Sequence, residues 1–259
     1  ILLLSITYGS ESLRGLFNVS NPVEYIFIAN LIASGFILLM VLPYMFKTKF
    51  VFDTSIFKQL INYGLPIMVA GLAFVINENL DKWLLPSYEG DYINGAYSAC
   101  YKLAVFMTLF IQAFRMGAEP FFFNHSEKAN AKETYATILK YFTIFGTLGL
   151  IIVTVYIDVL RPIFIKKESY LLALDIVPIV LLANLCLGIY HNLSIWYKLT
   201  DKTRYGMYIS LIGAVITIGF NVVFIPKLGF MACAYATLLA YGLMMLISLG
   251  LGRMHYPVP

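Results

Sequence analysis

Seven runs of about 20 mostly apolar residues follow one another along this chain, near residues 23–46, 61–86, 92–117, 134–158, 169–190, 205–226 and 229–252. At about 1.5 Å of rise per residue, each run can cross the hydrocarbon core of a bilayer as a helix. Backbone polar groups find no partners in lipid, so continuous runs of this length select helices. Barrel strands would instead alternate over about ten residues. Of the 259 residues, 60% are hydrophobic and 12% charged, and a soluble domain of this size carries roughly twice that charge. The expected fold class is an all-α polytopic membrane protein with about seven transmembrane helices.

Little else in the composition points to chemistry. Cys100, Cys186 and Cys233 all fall inside predicted spans without CxxC spacing, and read as small core residues. His125, His191 and His255 are scattered near span ends, so no metal site is expected. The formal net charge of +4 follows from membrane topology and gives no reason to expect nucleic acid. Lys and Arg accumulate in short cytoplasmic loops. Alternating the loops puts eleven basic residues on one side: Lys47, Lys49, Lys58, Arg115, Lys128, Lys132, Lys140, Lys198, Lys202, Arg204 and Arg253. The other side holds five, namely Arg14, Arg161, Lys166, Lys167 and Lys227. The richer set is expected in the cytoplasm, with residues 47–58 inside and 87–91 outside.

The first residues, "ILLLSIT", read as the last turns of an earlier helix, and truncation is expected at both ends. A local pattern, A-x-L-[IL]-A-x-G, occurs at Ala29–Gly35 and again at Ala236–Gly242. As a repeat it divides the chain into 1–52, the end of an N-terminal half, and 53–259, a complete six-helix C-terminal half. Duplicated halves are typical of secondary transporters, which bind substrate between them.

Polar residues interrupt two adjacent spans. A charge at mid-bilayer costs about 2.5–3.5 kcal/mol on insertion scales, so it normally faces water or a partner. In "GLAFVINENLDKWLLP", Asn77, Glu78, Asn79, Asp81 and Lys82 cover one broad arc of a helix, opposite Ile76, Leu80, Trp83 and Leu84. The bland reading is an interfacial helix end anchored by Trp83 and Lys82. In the next span Asn94, Tyr97, Ser98, Tyr101, Thr108, Gln112, Arg115 and Glu119 recur at helical spacing, with Lys102 beside them. Such a stripe lines a polar cleft, or it glues helices together by hydrogen bonds. Asp175, Asn184, Thr217 and Asn221 are the sparser intramembrane polar groups, and Pro66 is expected to interrupt the first of the two spans.

The segments "INYGLPIMVAGLAFVINENLDKWLL", "NGAYSACYKLAVFMTLFIQAFRMGAEPFFF", "HNLSIWYKLTDKTRYGMYISLIGA" and "NVVFIPKLGFMACAYATLLAYG" carry a resemblance. In their order and spacing the chain resembles the polysaccharide export and O-antigen flippase family of the multidrug/oligosaccharidyl-lipid/polysaccharide exporter superfamily, particularly Bacteroidetes-type lipopolysaccharide biosynthesis proteins. The resemblance implies twelve to fourteen spans in two halves around a cationic cavity, of which this chain holds the fifth span's end through the twelfth. It implies a bacterial inner-membrane transporter, working by alternating access on an undecaprenyl-diphosphate-linked oligosaccharide. Other glycan-assembly proteins are its implied partners, beside the lipid bilayer itself.

On that reading Asn77, Asp81, Lys82, Tyr101, Lys102, Gln112 and Arg115 line the substrate cavity, with the cations meeting diphosphate. Glu78, Asp81 and Glu119 are the candidates for coupling to a Na+ or H+ gradient, and no cofactor is expected. Glu119 can equally neutralise Arg115 in a structural pair. The alternative within the superfamily is a cation-coupled multidrug exporter, for which an acid-dominated cavity is expected. A membrane polymerase or acyltransferase is the remaining alternative. It needs a catalytic constellation, and the chain has no GxSxG, HExxH, P-loop or paired loop carboxylates, so an enzyme is not expected.

Overall fold

Helices form along the apolar runs, and two of the joints fall at glycines with positive φ, Gly90 and Gly229. The computed structural model describes residues 24–47, 52–165 and 167–257. Its helices are α1 (Glu24–Lys47), α2 (Thr54–His125), α3 (Ala131–Val155), α4 (Ile157–Phe164), α5 (Ile176–Leu193), α6 (Ile195–Leu199), α7 (Arg204–Leu228) and α8 (Phe230–His255), with a 3-10 turn at Glu168–Ala173. Among the described residues there is no strand, and six helical segments are long and apolar enough to cross a membrane. The sequence features at Ile1–Thr7, Arg14, Lys49 and Lys166 lie outside the described residues.

One of those six segments is two spans. A straight 72-residue helix would reach about 108 Å, several times a bilayer's thickness. At Gly90 the backbone leaves helical geometry, with φ 83° and ψ 167°, a region that favours glycine because a Cβ is crowded there. The chain reverses at that residue. Tyr97 reaches Asp81 and Tyr101 reaches Glu78, and both pairs are centred at residues 89–90, the signature of an antiparallel hairpin. Its first arm, 54–89, and second arm, 91–125, restore the seven spans read from the sequence.

The chain divides into two compact units, 1–57 and 58–259. The first contains α1, whose described side chains are mostly exposed. In the second, α8 packs against both α5 and α7, and α5 also packs against α3. A core of Tyr97, Leu103, Val177, Leu181 and Cys233 joins the second arm to α5 and α8, and a further cluster of Leu187, Ile209, Tyr241 and Met244 lies among α5, α7 and α8. Large apolar side chains such as Leu109, Val215 and Leu246 point outward, as lipid contact requires.

Three local expectations change. Pro66 lies within a continuous helix, because no residue of α2 other than Gly90 departs from helical φ and ψ. The missing N–H of Pro66 frees the carbonyl of Asn62, and the next carbonyl, that of Tyr63, accepts Thr203 Oγ1 at 3.2 Å. The run expected at 134–158 ends at Val155, with Tyr156 as the joint to α4. The run at 169–190 starts as the 3-10 turn, and Asp175 takes the exposed N-cap position of α5. Pro178 then stands in the first turn, where no intrahelical partner awaits its missing N–H.

Candidate functional site

The hairpin at Gly90 brings the two polar spans face to face. On the first arm Asn77 and Asp81 share one helical face, one turn apart, and both are 2% exposed. Tyr97 and Tyr101 are spaced the same way on the second arm, their rings 5.8 Å apart. Tyr97 donates its hydroxyl to Asp81 Oδ2 at 2.5 Å, and the other carboxylate oxygen accepts the Lys82 backbone N–H at 2.8 Å. Glu78 accepts from Tyr241 of α8 and, at 3.5 Å, from Tyr101.

Lys82 curls back along its own helix. Its Nζ donates to the Glu78 carbonyl at 2.6 Å and lies 4.3 Å from the centre of the Tyr101 ring, a cation–π distance. Asn77 Oδ1 accepts from Thr217 Oγ1 of α7 at 2.8 Å. The Asn77 amide nitrogen and both side-chain polar atoms of Asn221 are buried without partners. The cluster therefore joins the first arm, the second arm, α7 and α8, and holds two carboxylates against one ammonium.

A second polar cluster lies toward the other end of the second arm. Arg115 donates from Nε at 3.2 Å and from Nη2 at 3.1 Å to Glu119 Oε1. The same oxygen accepts Lys198 Nζ of α6 at 2.8 Å. Fourteen residues separate Tyr101 from Arg115, about 21 Å along a helix. Between the two clusters Thr108 meets Asn184 of α5 at 3.4 Å.

The structure thus divides the stripe that the sequence reads as continuous. Asn77, Glu78, Asp81, Lys82 and Tyr101 come together in the first cluster. Arg115 and Glu119 meet in the second. Lys102 and Gln112 are exposed and belong to neither. Tyr101 is buried between helices because its spacing also places it against the first arm.

Two partners escape sequence reasoning. Tyr241 is a single tyrosine in an apolar span, where its polar tip is the available signal. Lys198 lies at a span end, where basic residues ordinarily report topology alone. Among the described residues no group of three His, Cys, Asp or Glu is arranged to hold a metal, and the three cysteines are free. Carboxylates held by phenolic hydroxyls inside a helical bundle can exchange a proton or accept a small cation. They offer no nucleophile poised against a general base.

These features define a multi-pass integral membrane protein whose polar groups are sequestered between helices. Residues 66–223 match the MatE family, and the chain belongs to that family. Two solved structures are similar to it. One is an outward-facing multidrug resistance MATE family transporter of the MOP superfamily, at TM-score 0.66 and 16% identity, covering 77% of this chain and 45% of that one. The other is a MOP superfamily transporter from Pyrococcus furiosus, described as having a binding pocket of reverse polarity that suggests a different function. It aligns at TM-score 0.56 and 18% identity, again over 77% of this chain and 45% of that one. At these identities the likeness is one of fold, and the chain spans less than half of either neighbour. None of the curated proteins matches it.

Proposed function

We propose that this chain supplies a six-helix half of a cation-coupled exporter of the MOP superfamily, seated in a bacterial inner membrane, with Glu78 and Asp81 as the coupling groups. The observation that carries this reading is the carboxylate pair, Asp81 buried and Glu78 half-buried, held by Tyr97, Tyr101 and Tyr241 across three helical segments, with Asn77 beside them bonding Thr217 of α7 as the fourth. A proton or Na+ arriving there changes the charge of a site to which all four are tied, so occupancy biases their packing. The fold likeness to a multidrug transporter supports the same reading.

The sequence favours a flippase through three cations, Lys82, Lys102 and Arg115, but their grouping weakens that argument. Arg115 is engaged by Glu119, and Lys102 is exposed away from the carboxylates. The flippase reading keeps Lys82, with its ammonium beside Tyr101, as a group for the diphosphate of a lipid-linked oligosaccharide.

Transport by the full-length protein in everted vesicles separates the two. As an exporter it should extrude a cationic dye when a pH or Na+ gradient is imposed. Asp81→Asn and Glu78→Gln should abolish that coupling while leaving membrane abundance unchanged. Gradient-driven extrusion that survives both substitutions would remove the carboxylates from the mechanism. Lost glycan export in Lys82→Gln, with no dye transport by the parent protein, would favour the flippase.

A further inference from the structure

A cavity of about 320 Å³ opens at the end of the bundle where the second arm stops, α3 begins and α8 finishes. It is walled by apolar groups such as Leu139, Ile195 and Leu249, and by two cations, Lys140 of α3 and Arg253 of α8. Both cations are exposed at their outer ends, and among the described residues neither is paired with a carboxylate. No Asp or Glu lines the cavity among the described residues. A third cation stands close by, because Lys132 lies 4.8 Å from the ring centre of the lining Tyr256.

The inner wall contains unspent hydrogen-bonding capacity. Trp196 is 3% exposed, and its ring stacks on His255 with centroids 5.4 Å apart. Its Nε1–H has no partner, and the Oδ1 of Asn192, which also lines the cavity, has none either. A buried polar atom left unpaired costs about 1–3 kcal/mol unless a ligand or water satisfies it. Gly252 borders this indole, and a Cβ there would lie 3.5 Å from Trp196 Nε1, in van der Waals contact with it.

Cations without counter-ions, an unpaired N–H donor and an apolar wall together select an amphiphile with an anionic head. The volume is at the small end for ligand pockets, enough for a phosphate head group and its first methylenes but not for two acyl chains. Lys and Arg weight this end of the bundle toward the cytoplasm, and the cytoplasmic leaflet carries the anionic lipids. We propose that this cavity binds the phosphate head group of an anionic phospholipid from that leaflet, between Lys140 and Arg253.

The test uses the purified full-length protein in a neutral detergent, with binding read by native mass spectrometry. Dihexanoyl phosphatidylglycerol, dihexanoyl phosphatidylcholine and inorganic phosphate are the probes. Phosphatidylglycerol should bind in preference to the other two. Lys140→Gln with Arg253→Gln should weaken it about tenfold or more, as the loss of two surface cations implies. The control pair Lys128→Gln with Lys202→Gln, on exposed residues of the same loop set, should leave binding unchanged. Gly252→Leu, which fills the approach to Trp196, should weaken binding independently of charge. Equal binding of phosphatidylcholine, or equal loss in the control pair, would overturn the site. Inorganic phosphate binding as tightly, with the same dependence on Lys140 and Arg253, would make it a site for a soluble anion and overturn the lipid assignment.

Discussion

Glu119 accepts hydrogen bonds from two cations on one oxygen, so its loss and the loss of either partner are unequal events. Arg115→Gln leaves Lys198 paired with Glu119, whereas Glu119→Gln leaves two cations facing each other. Half-exposed pairs are worth roughly 0.2–1 kcal/mol each, so Glu119→Gln is expected to lower thermal stability in detergent about twice as much as Arg115→Gln. Equal shifts would show that the cluster contributes no more than a surface pair. Thr217 gives a sharper case. Thr217→Val removes the one hydrogen bond made by the buried Asn77 side chain and should destabilise by about 1–2 kcal/mol. Adding Asn77→Leu should recover much of that loss, because removing both partners leaves nothing unsatisfied. A double variant no more stable than the single would contradict the pairing. At this scale the sequence displays the carboxylates and tyrosines of the cluster, since polar residues in apolar runs are conspicuous. It does not display which of them meet. Arg115 lies on the same stripe as Tyr101 and Lys102 flanks it, and only the hairpin geometry separates them from Asp81.

Helix packing in the bundle depends on where side chains are missing. Phe142 of α3 lies against Gly188 of α5, where a Cβ would approach its ring to 2.5 Å, and Leu185 of α5 lies against Gly146 of α3, at 2.6 Å. The two helices thus exchange a large side chain for a gap in each direction, about one turn apart. Phe142 has no room to yield, being 2% exposed and packed against the rings of Phe110 and Phe114. Leu185 can rotate a terminal methyl. Gly188→Ala is therefore expected to cost about 1–3 kcal/mol, and Gly146→Ala less, with the order read from melting temperatures in detergent. The reverse order would mean that α3 and α5 adjust as rigid bodies. Helix existence is legible in the sequence because hydrocarbon admits few other structures. Helix ends are less so. The apolar run past Val155 continues, but Tyr156 and Pro162 turn it into a separate short helix, and Pro66 signals a break where the helix continues.

For the whole molecule, the hairpin sets a topology that labelling can check. Glu89 sits at the reversal, while Lys128 sits in the segment between the second arm and α3. Single cysteines at these two positions in the full-length protein should react with a membrane-impermeant thiol reagent from opposite sides. Reaction of both from one side would sink the seven-span arrangement. The fold class follows from composition and run length, whereas the tight reversal at Gly90 does not. Glycine appears often enough in membrane helices that nothing in "SYEGDY" singles it out as the whole turn.

Gly90 has a counterpart. Gly229, with φ +59°, joins α7 to α8, and a Cβ placed on it would meet the carboxylate of Glu89. At this end of the bundle two reversals, each one residue long, press against each other, whereas longer connections such as residues 126–130 join helices at the opposite end. A joint without slack transmits tilt. When the first arm leans, the second must lean with it, and the α7–α8 pair is pushed at the same point, so the four helices behave as levers on a shared fulcrum. Inserting two glycines after Gly90 should loosen that linkage. Spin labels on the two arms at the opposite end should then report a broadened distance distribution, while an unchanged distribution would place the stiffness elsewhere.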